Sequence, residues 1–146
     1  MDHHILVIED NLEMQDLLSL LLTQEGYQVI SATTGKAALE ILKLKPKLSI
    51  ILLDLTLPDM KSEFFLDEMK KNSPEETAPI LFFSAVPNLN KMILPSGVLG
   101  VIQKPFQIQS FLETIANFKK TTVSMHSRVL KRAFRKKPCC DHMIYC

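Results

Sequence analysis

Cysteine is scarce in this chain and gathered where it can brace nothing: Cys139, Cys140 and Cys146 all fall in the last eight residues. A disulfide framework is thereby excluded, and a reducing, cytoplasmic setting is the expectation. Long apolar runs are also missing. Stretches such as Ile50 to Leu53 are far too short to span a bilayer. The opening "MDHHILVIED" lacks the charged start and long apolar stretch of a secretion signal. What is present is core-forming material, with 47% hydrophobic and 23% charged residues over 146 positions. That describes one ordinary globular domain and excludes a chain disordered throughout.

The net charge of +1 conceals an uneven distribution. Residues 1–118 carry 9 Lys/Arg against 15 Asp/Glu, whereas residues 119–146 carry 8 Lys/Arg against Asp141 alone. An acidic body precedes a basic tail. Along the body, short β-branched or Leu-rich runs alternate with segments of helical period. This is the pattern of a parallel sheet with crossover helices. Five units can be counted. Strands are expected at His4 to Ile8, "YQVISA", "SIILL", "PILFFS" and "LGVIQ". Helices are expected from about Leu12 to Glu25, Gly35 to Lys45, around Phe64 to Met69, in the weak segment "AVPNLNKMILPSG", and from about Gln107 to Lys119. Met14, Leu17, Leu18, Leu21 and Leu22 share one face of the first helix. Ile108, Phe111, Leu112 and Ile115 do so in the last. Lys36 and Glu40 are spaced for an i, i+4 pair.

Polar residues then fall on one edge of the expected sheet. Glu9 and Asp10 follow the first strand, Asp54 the third, Ser84 ends the fourth, and Lys104 follows the fifth. In an open doubly wound sheet, ligands bind at the carboxyl ends of strands where strand order reverses, here between the first and third. Three carboxylates crowded together repel unless a cation lies among them. All-oxygen ligands with room for water and phosphate suit Mg²⁺. A lysine and a hydroxyl opposite would stabilise a transferring phosphoryl group, with a carboxylate as nucleophile.

With "VIEDN", "LLDLTLPDM", "FFSA" and "QKPF" in this order, each at the end of its strand, residues 4 to 120 resemble the receiver domain of two-component response regulators. The resemblance implies a flavodoxin-like α/β fold, a five-stranded parallel sheet of order 2-1-3-4-5 with five flanking helices. It implies that Asp54 accepts a phosphoryl group from a histidine kinase or phosphotransfer protein. Mg²⁺ would be held by Asp10 directly, by Glu9 through water or directly, by Asp54 and by the Thr56 backbone carbonyl, while Ser84 and Lys104 would bind the phosphoryl oxygens. The peptide before Pro105 would be cis.

Two positions depart from the family pattern. The aromatic switch residue usual three positions before the lysine is Val101, and the glycine usual after the phosphoacceptor loop is Ser62. Plainer readings stand beside the functional ones. Asp54 alone is a turn former. Glu9 or Asp10 would cap the first helix in competition with Asn11, and Ser84 would be polar surface. His3, His4, His126 and His142 fit no metal spacing and are expected in solvent. An Asp-nucleophile phosphatase of the haloacid dehalogenase type would want a second Asp at Thr56.

The tail, residues 121–146, has Met125, Val129, Leu130, Ala133 and Phe134 at helical spacing with Arg128, Lys131, Arg132 and Arg135 between them. That spacing suits a basic amphipathic helix facing nucleic acid, a membrane surface, an acidic partner or the acidic body, and equally a solvated extension. "CCDHMIYC" lacks a CxxC pair for zinc. Some 26 residues after the receiver are too few for a helix-turn-helix output domain. A single-domain regulator acting by protein contact or phosphoryl relay is the expectation.

Overall fold

The computed structural model describes residues 4–86 and 93–123, with side chains as far as Phe118. In chain order the elements are β1 (His4–Ile8), α1 (Leu12–Gln24), β2 (Gln28–Ala32), α2 (Gly35–Lys43), β3 (Leu48–Asp54), α3 (Ser62–Asn72), β4 (Ile80–Ser84), β5 (Val98–Gln103) and α4 (Ile108–Val123). The strands form one sheet of order β2-β1-β3-β4-β5, and every adjacent pair is parallel. Four helices lie among the described residues. The fifth expected helix, between Ser84 and Lys104, falls largely on residues 87–92, outside the described residues, as does the basic segment from residue 124 onward.

Central β3 is buried at every position after Leu48, as a strand covered on both faces must be. Two cores supply the covering. On one face α2 and α3 lay Ala38, Leu42, Phe65, Leu66 and Met69 against Leu6, Ile8, Ile51, Leu53 and Phe82. On the other, α1 and α4 lay Leu18, Leu22, Phe111 and Ile115 against Ile5, Val7, Ile50, Leu52, Leu81 and Phe83. Strand alternation decides which residue meets which layer.

Helix ends follow local chemistry. The Asn11 side chain accepts from Met14 N at 3.0 Å and caps α1, a contribution of about 1 kcal/mol. Glu9, in the acidic pair before it, accepts from Asn11 N at 3.3 Å, while the side-chain cap of the α1 amides is Asn11 itself. Gly26, at φ 91°, turns the chain out of α1. α2 is capped by Thr34. It is followed by Lys45 at φ 54° and then Pro46, which cannot continue a helix.

Some helix faces differ from the sequence expectation. Leu17 is 38% exposed and Ile108 49%, because each lies on the flank of its apolar stripe. On α1 Gln15 is buried although polar, its amide donating to Ala32 O at 3.1 Å and Glu9 O at 3.3 Å. Glu40 pairs with Lys43 at 3.2 Å instead of Lys36. His4 is half-buried in β1 rather than solvated. No helix among the described residues is long and apolar enough to cross a membrane.

Candidate functional site

Parallel register brings the polar residues together. Ile8 pairs with Leu53, so Glu9 stands beside Asp54. Asp54 pairs with Phe83 and Ser84 with Gln103, which sets Lys104 next in line. One carboxylate oxygen from each of Glu9, Asp10 and Asp54 lies within 4.8 Å of the other two. Glu9 and Asp54 are buried, whereas Asp10 is exposed. The site is therefore a pit with two carboxylates at its floor and one at its rim. An all-oxygen set of this kind fits a hard divalent cation with room for water.

Lys104 enters the same pit. Its Nζ forms an ion pair with Glu9 Oε1 and lies 3.5 Å from Asp54 Oδ2. It also sits 4.6 Å from the centre of the Phe83 ring, a cation–π contact of about 0.5–1 kcal/mol. Phe83, Phe106 and Phe111 stack in tilted and edge-on contacts, with centroids 5.0–6.2 Å apart. This apolar wall flanks the lysine, whose side chain is 17% exposed. The peptide linking Lys104 to Pro105 is cis.

The two floor carboxylates share their neighbourhood unequally. Burial raises the Glu9 carboxyl to about 7, reinforced by Asp54 and opposed by Lys104. Burial pushes Asp54 upward too. Hydrogen bonds from Glu9 and Thr56 and the Lys104 charge outweigh it, leaving Asp54 below the usual carboxylate range. Environment thus pushes the pair apart, one ionised and one able to hold a proton near neutrality. Thr56 donates both its backbone N–H and its hydroxyl to Asp54 Oδ1, each at 2.9 Å.

Ser84 is buried at the end of β4, its hydroxyl accepting from Val86 N at 3.1 Å while its carbonyl accepts from Lys104 N. Val101 lies away from this edge, buried in the core beside Phe82. The family resemblance implies only a carbonyl role for Thr56. Its hydroxyl bond was open to reading from a Thr two positions past the Asp. Phe83 and Asp59 were also missed, because their partners are distant in the chain.

Similarity to known proteins extends over the domain that carries this site. Residues 5–116 match the family described as the response regulator receiver domain. The transcriptional regulatory protein KdpE of Mycobacterium tuberculosis is 34% identical over 110 residues, 74% of this chain and 47% of its own length. An uncharacterized transcriptional regulatory protein of Bacillus subtilis, YrkP, is 30% identical, covering 92% of this chain and 57% of its own length. The chain thus spans about half the length of these relatives. Among solved structures, a CheY-like receiver domain protein from Methanospirillum hungatei superposes with a TM-score of 0.76 at 24% identity, covering 86% of this chain and 99% of its own. The receiver domain of a sensor histidine kinase from Pseudomonas aeruginosa, whose structure has magnesium coordinated in its active site cleft, gives 0.70 at 21%, covering 82% and 99%. On the family match over most of its described length, the chain belongs to the receiver domains of two-component response regulators.

Proposed function

We propose that Asp54 accepts a phosphoryl group from a phosphohistidine of a sensor kinase or phosphotransfer protein, in a Mg²⁺-dependent reaction in the cytoplasm. The observation that carries this reading is the convergence of Glu9, Asp10 and Asp54 within 4.8 Å, with the Lys104 ammonium 3.5 Å from Asp54. The donor set suits Mg²⁺ held by these carboxylates and the Thr56 carbonyl. When bound, the ion would neutralise their repulsion and the charge on the phosphoryl oxygens.

The chain's own residues account for the rest. Asp54 is kept ionised, as a nucleophile must be. Thr56 fixes the orientation of its carboxylate through two bonds to Oδ1. An Asp54 oxygen bonds to phosphorus as the bond to the histidine nitrogen breaks, and the imidazole leaves with the electron pair. Lys104 exchanges a carboxylate for a phosphoryl oxygen without leaving the pit. The Ser84 hydroxyl, which now accepts from Val86, still has its proton to give to another. Together they stabilise the transferring group by charge and placement. The signal then passes to a downstream protein by contact.

The test is direct. An acyl phosphate with Mg²⁺ adds one hydroxylamine-sensitive phosphoryl group to the wild-type chain and none to Asp54→Asn. No labelling, or equal labelling of the variant, overturns the reading.

A further inference from the structure

The loop that carries Thr56 is fastened at a second point, far from Asp54 in the chain. Asp59 Oδ1 accepts from Gly35 N and its Oδ2 from Lys36 N, both at 2.9 Å. These are two of the N–H groups that a helix start leaves without partners. The carboxylate is also well placed for the positive end of the α2 dipole. Burial pushes Asp59 upward, but the Lys36 and Gly35 N–H groups outweigh it and hold the carboxyl below its usual range.

Next to it, Met60 lies flat on Gly35. A Cβ at position 35 would stand 2.6 Å from Met60 Cγ and Sδ, so the Met60 side chain packs this closely only because residue 35 is glycine. Between the two anchor points are only Leu57 and Pro58, and the proline fixes its own φ. The segment is short, stiff, and tied at both ends.

We infer that Asp59 is a positioning residue: by clamping residues 56–60 to the start of α2, it holds Thr56 in the placement that Asp54 and the metal require. The inference rests on the reading of Asp54 as a Mg²⁺-dependent phosphoacceptor. It assigns to an exposed carboxylate a part in a site that it does not touch. The competing account is that Asp59 only stabilises α2, as any acidic cap does.

Four chains separate the accounts: wild type, Asp59→Ala, Asp59→Asn and Thr34→Ala. Each is measured for Mg²⁺ affinity by titration calorimetry, for exchange of the Gly35 and Lys36 amides, and for thermal midpoint. Thr34→Ala removes the other side-chain cap of the same helix and leaves the loop alone. Asp59→Ala is expected to bind Mg²⁺ about tenfold more weakly, the lower end of what partners behind a metal ligand contribute. Asp59→Asn keeps one acceptor and recovers part of that loss. Thr34→Ala lowers the midpoint and keeps its Mg²⁺ affinity.

Unchanged affinity in Asp59→Ala overturns the inference, as does an equal loss in Thr34→Ala. If Asp59→Ala does not fold, Gly35→Ala decides. It displaces Met60 while raising helix propensity, so weaker Mg²⁺ binding supports the clamp and unchanged binding rejects it. A wild-type chain that binds no Mg²⁺ overturns the site reading itself and the clamp's role with it. That failure is distinct, since the others presuppose wild-type binding.

Discussion

Lys104 Nζ lies 3.5 Å from Asp54 Oδ2 and is at the same time ion-paired with Glu9, so one cation serves two buried carboxylates. Lys104→Met keeps the apolar stem against Phe83 and removes the charge. The two carboxylates then face each other without compensation, and Glu9 must take up a proton. Breaking a fully buried pair costs about 3–5 kcal/mol. Because the lysine side chain is 17% exposed, about 1–3 kcal/mol is expected here. Millimolar Mg²⁺ should restore much of the loss by supplying the missing charge. Urea unfolding with and without Mg²⁺ checks this, and a variant whose stability ignores Mg²⁺ would count against the shared-cation account.

On the proposed function, the raised Glu9 carboxyl would link metal binding to protons. Burial first, then Asp54, brings it to about 7. Below that pH the metal-free chain holds a proton that a cation must expel. Mg²⁺ affinity should therefore climb as pH rises through 7 and level off above it. Without metal the sign for folding is the opposite. A carboxyl whose folded pKa exceeds its ordinary 4.5 withdraws stability as pH rises from that value through about 7. Calorimetry in two buffers of different ionisation heat measures the released proton. Equal apparent heats below pH 7 would refute the linkage.

Glu76 offers a simpler titration, remote from the site. One oxygen of its carboxylate is buried without a hydrogen-bond partner. Burial, then the charge of Glu75, raises its pKa. The wild-type chain should lose stability as pH rises from the ordinary glutamate range through the raised value. Glu76→Gln keeps the shape and removes the charge. It should be more stable than wild type at neutral pH and should converge with it in acid, as thermal midpoints across a pH series will report.

Much of this fold was legible because its strands are short continuous apolar runs and its site residues follow them directly. Once Asp54 is placed at the end of a doubly covered strand, register does the rest, and Glu9 and Lys104 arrive from neighbouring strands. What escaped had other causes. Leu17 and Ile108 sit on the margins of their stripes, where 100° per residue leaves the face ambiguous. Glu9 and Asp10 are neighbours in sequence, yet Glu9 is buried at the floor and Asp10 exposed at the rim. Asp59 binds backbone 24 residues away, and Lys104 stacks on Phe83. Side-chain contacts across such separations leave no period to read.

Val101 occupies the position where the family pattern places an aromatic residue, and its surroundings say what restoring one would do. The side chain is 1% exposed, opposite Phe82 on β4 and packed with Ile80 and Val98. A tyrosine there must either force these neighbours apart or swing out and leave the valine's space empty. Overpacking of a dense core costs about 1–3 kcal/mol, and the cavity alternative is of similar size. Val101→Tyr should therefore destabilise the chain by about that much. Acyl-phosphate labelling of Asp54 should persist, because the pit is built by Glu9, Asp10, Asp54, Thr56 and Lys104. Urea unfolding and labelling on the same preparation test both halves. A variant as stable as wild type would show that the core has room for a ring, and loss of labelling in a folded variant would show that position 101 reaches the site after all.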